Sequence, residues 1–198
     1  MRWSTFFIVF CVVASLGYAV SRWAGTSYTP RMDQQALEIA QVQLSDSQGN
    51  PVSFASLKGR PVVVSFGYMS CPDVCPTSLA YLRRELDQLG SDRNLMQPVF
   101  VSVDPARDTP GLLSEYIQHF GPDFRAFTGS EAALQTVAKA FGAFFKLGPK
   151  DTATGGYLVS HSSVFYILDE AGRVVSTLSP PHEKGALTAL MAKALRSH

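Results

Sequence analysis

Apolar and polar positions alternate with two different periods along this chain. Residues 42–44 and 52–54 alternate around the turn-rich stretch Ser45-Asp46-Ser47-Gln48-Gly49-Asn50, which predicts a hairpin. Residues 61–67, PVVVSFG, form a short branched run of the kind found in a buried strand. Leu79, Leu82, Leu86 and Leu89 recur at helical spacing and predict a helix over 77–89. A second buried strand follows over 98–103, then a helix over 112–120 behind Pro110 and a short strand over 124–128. Residues 131–145 read as a helix with Ser130 as N-cap, and 148–156 as a loop. A late hairpin is predicted from 163–168 and 174–178 across Asp169-Glu170-Ala171-Gly172. A final amphipathic helix covers 183–195.

Strands alternating with helices, closed by a hairpin and a last helix, predict an α/β fold with a mixed central sheet flanked by helices. The order is that of a thioredoxin-like domain with an N-terminal hairpin extension. The N-terminus has a different pattern. Residues 6–20 carry no charge and no proline, and Arg2, Trp3, Arg22 and Trp23 flank them. From Trp3 to Trp23 a helix would reach about 30 Å, close to the thickness of a bilayer core. Two readings stay open: an uncleaved single membrane helix, or a cleaved signal peptide with a site near Ala19 or Ala24. The matching span and the lack of a clean A-x-A site favour the anchor. The expected organisation is therefore a membrane anchor over 1–23, a polar linker over 24–40 containing Pro30, and a folded domain over 41–198.

The formal net charge is +1. Without Arg2 and Arg22 it becomes −1, so the exported part has no broad basic field, which argues against nucleic-acid binding. There are three cysteines, too few for a disulfide-stapled scaffold or a four-cysteine zinc site. Cys11 lies in the apolar segment and is expected to be inert. Cys71 and Cys75 lie in SFGYMSCPDVCPTSL, between the buried strand and the predicted helix. At i and i+4 on a first helical turn, both sulfurs can point at one object: each other, or a metal ion. A helix N-terminus also favours the thiolate. Two thiolates make a soft site suited to Cu(I), and imidazole also suits copper. Of four histidines, His198 is terminal, His119 sits near a helix C-terminus where a surface cation is favoured, and His182 follows Pro180-Pro181 in an exposed polar turn. His161, in a Ser-His-Ser-Ser stretch at a strand mouth, is the best candidate for a third ligand.

These residues resemble the Sco/SenC copper chaperones. The resemblance rests on CPDVCP after an FG-containing strand, on SVDPARDTP some thirty residues later, and on the HSS histidine. It runs from about Gln41 to the C-terminus. It implies a membrane-anchored, thioredoxin-like protein that delivers copper to the binuclear copper A site of cytochrome c oxidase subunit II, or to another copper acceptor. It implies that Cys71, Cys75 and His161 hold one copper, as Cu(I) or Cu(II). It also implies a soluble domain in the periplasm, anchored in an inner membrane, or in the mitochondrial intermembrane space. Asp104 and Asp108 fall on the family's acidic loop, usually placed near the site, although D-P and D-T-P are also ordinary turn and helix-start chemistry. Asp73, between the cysteines, is a further candidate for a contact beside the metal or with a partner. Two departures stand out: Ser160 replaces the family's usual Asp before the histidine, and Met69-Ser70 replaces a Thr-containing pair. A thiol-disulfide reductase acting on the acceptor's cysteines, or in redox signalling, is the alternative, with Cys71 and Cys75 as its redox pair. The three-residue spacing and the lack of a proline beside His161 argue against general oxidoreductase work.

Overall fold

The computed structural model describes residues 30–153 and 155–196. The apolar run over 6–20, Cys11 and His198 lie outside these residues. Among the described residues no helix is long and apolar enough to cross a membrane.

The sheet is built around the run predicted to be most buried. Strand β3 (Val62–Gly67) is buried along its whole length. It pairs in parallel with β4 (Gln97–Ser102), which pairs in parallel with β5 (Arg125–Thr128). On its other side β3 pairs antiparallel with β8 (Phe165–Leu168), and β8 with β9 (Val174–Leu178). The N-terminal hairpin, β1 (Leu44–Asp46) and β2 (Pro51–Val52), continues the sheet beyond β5. The order is β2-β1-β5-β4-β3-β8-β9, a mixed seven-stranded sheet as the pattern predicts.

Both faces of the sheet are covered, because successive side chains of a strand point to opposite sides. Val62, Val64 and Phe66 face one cluster, with Phe54, Leu134, Val137 and Phe141. Val63 faces the other, with Leu79, Leu82, Leu86, Phe100, Leu113, Leu187 and Met191. The helices that cover the sheet are α1 (Pro30–Gln41), which adds Ile39 to the first cluster, α2 (Val74–Asp87), α3 (Pro110–Gln118), α4 (Glu131–Phe141) and α5 (Ala186–Leu195).

Three parts differ from the pattern reading. The described part of the expected linker over 24–40 is helix α1. Its composition is polar, but Ala36 and Ile39, three residues apart, are buried, and Gln35 Nε2 donates to the Ala140 carbonyl at 2.7 Å. Two buried positions among the described side chains are too few to register as a period. Helix α4 stops at Phe141 and not at residue 145. Gly142 adopts φ 69°, a left-handed cap that L side chains disfavour. The apolar residues beyond it belong to β6 (Phe145–Leu147), which pairs antiparallel with β7 (Val159–His161) as a separate two-stranded ribbon. His161 therefore ends a short strand of its own, just ahead of β8.

Candidate metal centre

The first half of the site follows from β3 ending beneath the start of α2. The chain leaves the sheet at Gly67 and turns, with Cys71 N–H donating to the Tyr68 carbonyl at 3.2 Å. Pro72 and Pro76 suit this turn and the first helical turn, where a missing amide costs little. Only Cys75 lies in the helix. Cys71 precedes it, so the two thiols do not share a helical face as the spacing predicts. They meet because Cys71 Sγ accepts from the Cys75 N–H at 3.4 Å, in the manner of an N-cap. Gly67 permits the close packing: a Cβ there would lie 2.7 Å from Cys75 Sγ and 2.8 Å from the Phe100 ring.

The second half comes from the ribbon. His161 Nε2 lies 3.3 Å from Cys75 Sγ. Its Nδ1 lies 3.1 Å from the Ser162 carbonyl oxygen, which can only accept, so Nδ1 carries the proton and Nε2 has a free lone pair. The Tyr68 ring meets the imidazole edge-on at 5.8 Å. Cys71 Sγ, Cys75 Sγ and a His161 ring nitrogen all lie within 4.8 Å of one another. Both thiols are free.

The two thiols differ in character. Burial alone would raise the Cys71 thiol, but the backbone N–H groups of Asp73, Cys75 and Val74 and the Cys75 thiol together hold it below the usual range. Cys75 is only 2% exposed, and burial, with the neighbouring Cys71, pushes its thiol far up. Burial also lowers His161 and keeps the imidazole neutral, as a ligand must be. A cavity of about 430 Å³ opens onto Cys71 and His161, with Asp73, Val74, Phe144, Leu158 and Ser160 on its walls.

The acidic candidates take distinct places, and none joins the thiol–imidazole group. Asp108 turns inward instead of capping α3. Its Oδ2 accepts from Ser102 Oγ at 2.6 Å and from Met69 N–H at 2.9 Å, which ties the cysteine turn to the end of β4. Burial raises its pKa. Asp104 is fully buried and accepts from Tyr157 Oη at 2.6 Å and Arg107 Nε at 2.5 Å. Asp73 is exposed at the N-cap of α2, where its Oδ1 accepts from Thr77 Oγ1 at 3.3 Å. Ser160 is exposed on the ribbon opposite Lys146. His119 is exposed at the C-cap of α3, as expected. His182 is not exposed as the sequence predicts. It is half-buried, stacked 5.0 Å from Tyr81 and tilted against Phe165 at 5.0 Å, away from the thiols. Gly67, Tyr68, Arg107 and Tyr157 were not predicted. Gly67 and Tyr68 lie within SFGYMSCPDVCPTSL and Arg107 within SVDPARDTP, whereas nothing local to the sequence marks Tyr157 as a site residue.

Two thiols and one neutral imidazole at the end of a thioredoxin-like sheet define a soft-metal site. A sequence profile of the SCO1/SenC family matches residues 30–196, and the chain belongs to that family. A SCO2-like protein of Rickettsia prowazekii is 37% identical over 131 residues, covering 66% of this chain. The chain spans 64% of that relative's length. The copper-bound crystal structure of Arabidopsis thaliana ScoI superposes with a TM-score of 0.72 at 30% identity, covering 79% of this chain and 96% of that one. The copper-bound structure of Bradyrhizobium japonicum ScoI gives 0.69 at 35% identity, covering 77% and 96%.

Proposed function

We propose that this protein is a membrane-anchored copper chaperone. It binds one copper through Cys71, Cys75 and His161 and passes it to the binuclear copper A site of cytochrome c oxidase subunit II, or to another copper acceptor. The observation that carries the reading is the convergence of two thiols and an unprotonated imidazole nitrogen within 4.8 Å from segments far apart in the chain. Two thiolates and one imidazole suit Cu(I) in a trigonal arrangement and accept Cu(II) with an added ligand. The half-exposed Cys71 is the ligand an acceptor reaches first, and ligand exchange then moves the ion without redox chemistry. Val74, Phe144 and Leu158 are 45%, 61% and 65% exposed around the opening, an apolar collar suited to a protein partner. The anchor is the apolar run over 6–20. It holds the domain on the periplasmic face of an inner membrane, or on the intermembrane-space side of a mitochondrial one.

The test is metal titration of the protein with defined copper states. The Cu(II) adduct is expected to absorb through thiolate-to-copper charge transfer. The band is lost in Cys71→Ser and Cys75→Ser and shifted or weakened in His161→Ala. Copper binding that survives loss of both cysteines unchanged rejects the proposal. The unlike thiols favour a second reading, since an accessible low-pKa sulfur beside a buried one is the arrangement of a thiol-disulfide reductase. That activity needs the cysteines and not His161, so full rescue of oxidase assembly by His161→Ala supports it.

A further inference from the structure

His161 stands on a ribbon that forms no strand pairing with the seven-stranded sheet, whereas both cysteines hang from the end of that sheet. Something other than strand pairing must hold the imidazole at the thiols. Within the ribbon, Ser162 N–H donates to the Phe144 carbonyl and Phe144 N–H to Ser162 Oγ, contacts that fix the ribbon's shape but not its place. Beside the contact between the Tyr68 hydroxyl and the Val159 backbone in β7, one further polar tie across the gap is Arg107, in the loop after β4. Its Nη1 donates to the Tyr157 carbonyl at 2.9 Å, at the entrance to β7. Its guanidinium lies 3.8 Å from the centre of the Tyr157 ring and 5.5 Å from the centre of the Tyr68 ring. Its Nε is held by Asp104 Oδ2, and Asp104 Oδ1 takes the Tyr157 hydroxyl. Tyr68 in turn meets the His161 ring. One planar cation thus joins the ribbon carrying the imidazole to the turn carrying the thiols.

We propose that Arg107 is a positioning residue for the metal site. By clamping Tyr157 against Asp104 and Tyr68, it fixes the His161 strand at the distance where Nε2 meets Cys75 Sγ. The inference rests on the reading of Cys71, Cys75 and His161 as copper ligands. A lysine cannot replace the arginine, because its ammonium lacks the flat fork that donates along two directions while stacking on an aromatic face. Lysine does retain the positive charge, so Arg107→Lys avoids stranding the buried Asp104 carboxylate, which is the costly consequence of a neutral substitution.

The decisive experiment is a double-mutant cycle between Arg107→Lys and His161→Ala, read by Cu(I) affinity in competition with a chromophoric chelator and by the nitrogen signature in the Cu(II) electron paramagnetic resonance spectrum. In the otherwise native protein, Arg107→Lys is expected to weaken copper binding by about 10- to 100-fold and to reduce the nitrogen signature while thiolate charge transfer persists. In the His161→Ala background it is expected to change affinity by less than about threefold, because the imidazole it positions is gone. Hydrogen exchange of the metal-free protein gives an independent readout, with faster exchange of the β7 amides and unchanged exchange in β3. Tyr157→Phe, which removes only the hydroxyl bond to Asp104, is expected to give a smaller loss of the same pattern and serves if Arg107→Lys does not fold. An unchanged nitrogen signature and affinity in Arg107→Lys, or an equal loss with and without His161, overturns the proposal. Failure of the native protein to bind copper through His161 rejects the parent reading instead.

Discussion

Replacing Gly67 by alanine places a methyl group where two side chains already sit. The new Cβ would lie 2.7 Å from Cys75 Sγ and 2.8 Å from the nearest Phe100 ring atom. Ordinary contact between such atoms is about 3.5–4.0 Å, so the neighbours must retreat by about 0.8 Å or more. Phe100 is 1% exposed and has little room to move, since its ring packs on Tyr116 at 5.8 Å within the core. Much of the displacement therefore falls on the Cys75 thiol, whose distance to His161 Nε2 is 3.3 Å. Metal sites tolerate errors of about 0.2 Å in ligand distance. Gly67→Ala is expected to cost about 1–3 kcal/mol of stability through overpacking, measured by denaturant unfolding of the metal-free protein. It is also expected to weaken Cu(I) binding by about 10- to 100-fold in a chelator competition, a loss of the size seen when groups supporting a ligand are changed. Native affinity and native stability in Gly67→Ala would refute the argument that this glycine is kept for the thiol's space.

Three further outcomes follow from the same structure. In the metal-free, reduced protein, a thiol reagent should modify Cys71 well before Cys75; because the Cys71 thiol is held below its usual range, its modification should rise with pH and level off earlier than that of an ordinary cysteine, as read by mass spectrometry of the labelled peptides. Glu85 is fully buried and accepts from Gly185 N–H at 3.1 Å and Thr188 N–H at 3.2 Å, at the start of α5. Burial pushes its carboxyl up, but these amides, the Thr188 hydroxyl and Arg84 hold it below the usual range. Its folded pKa lies below the unfolded one, so its stabilisation is present above the ordinary glutamate range and is lost as pH falls through the depressed value. Glu85→Gln is expected to cost about 2 kcal/mol at neutral pH and to flatten that acid dependence in unfolding titrations. Replacing Phe144 and Leu158 together by alanine should leave copper affinity unchanged but weaken binding to the copper acceptor by about tenfold or more, measured by calorimetry with the purified acceptor domain; an unchanged acceptor affinity would remove the apolar collar from the docking surface.

The strongest local patterns on this chain are those whose cause is itself local. The branched run of β3 is apolar on both sides because both faces of that strand are covered, so no knowledge of its partners is needed to place it in the core. The leucine spacing of α2 and the Ser130 cap of α4, whose side chain accepts from the Ala133 N–H, are likewise set within one or two turns. Helix α1 escapes the pattern because, among its described side chains, two are buried and one bonds α4, 105 residues away. Ribbon β6–β7 escapes it because each strand has three residues, too few to show alternation.

The site divides along the same line. The succession of strands and helices, the cysteine spacing and the candidacy of His161 can be read from the chain, since they depend on residue type and on which element follows which. How the thiols meet cannot, because Cys71 lies outside the helix and reaches Cys75 through its amide. Nor can the inward turn of Asp108, the half-buried place of His182 or the arginine between two tyrosines. The thiols meet through a bond only four residues long, set by the turn that carries them; Asp108 is drawn in by Ser102 and Met69, His182 by Tyr81 and Phe165, and Arg107 by Tyr157, contacts that residue type alone does not announce. By itself the sequence determined a mixed α/β sheet and a set of candidate soft ligands. The tertiary structure decided that these side chains converge, because a distance such as the 3.3 Å between Cys75 and His161 is fixed by packing across 86 residues and not by any local rule.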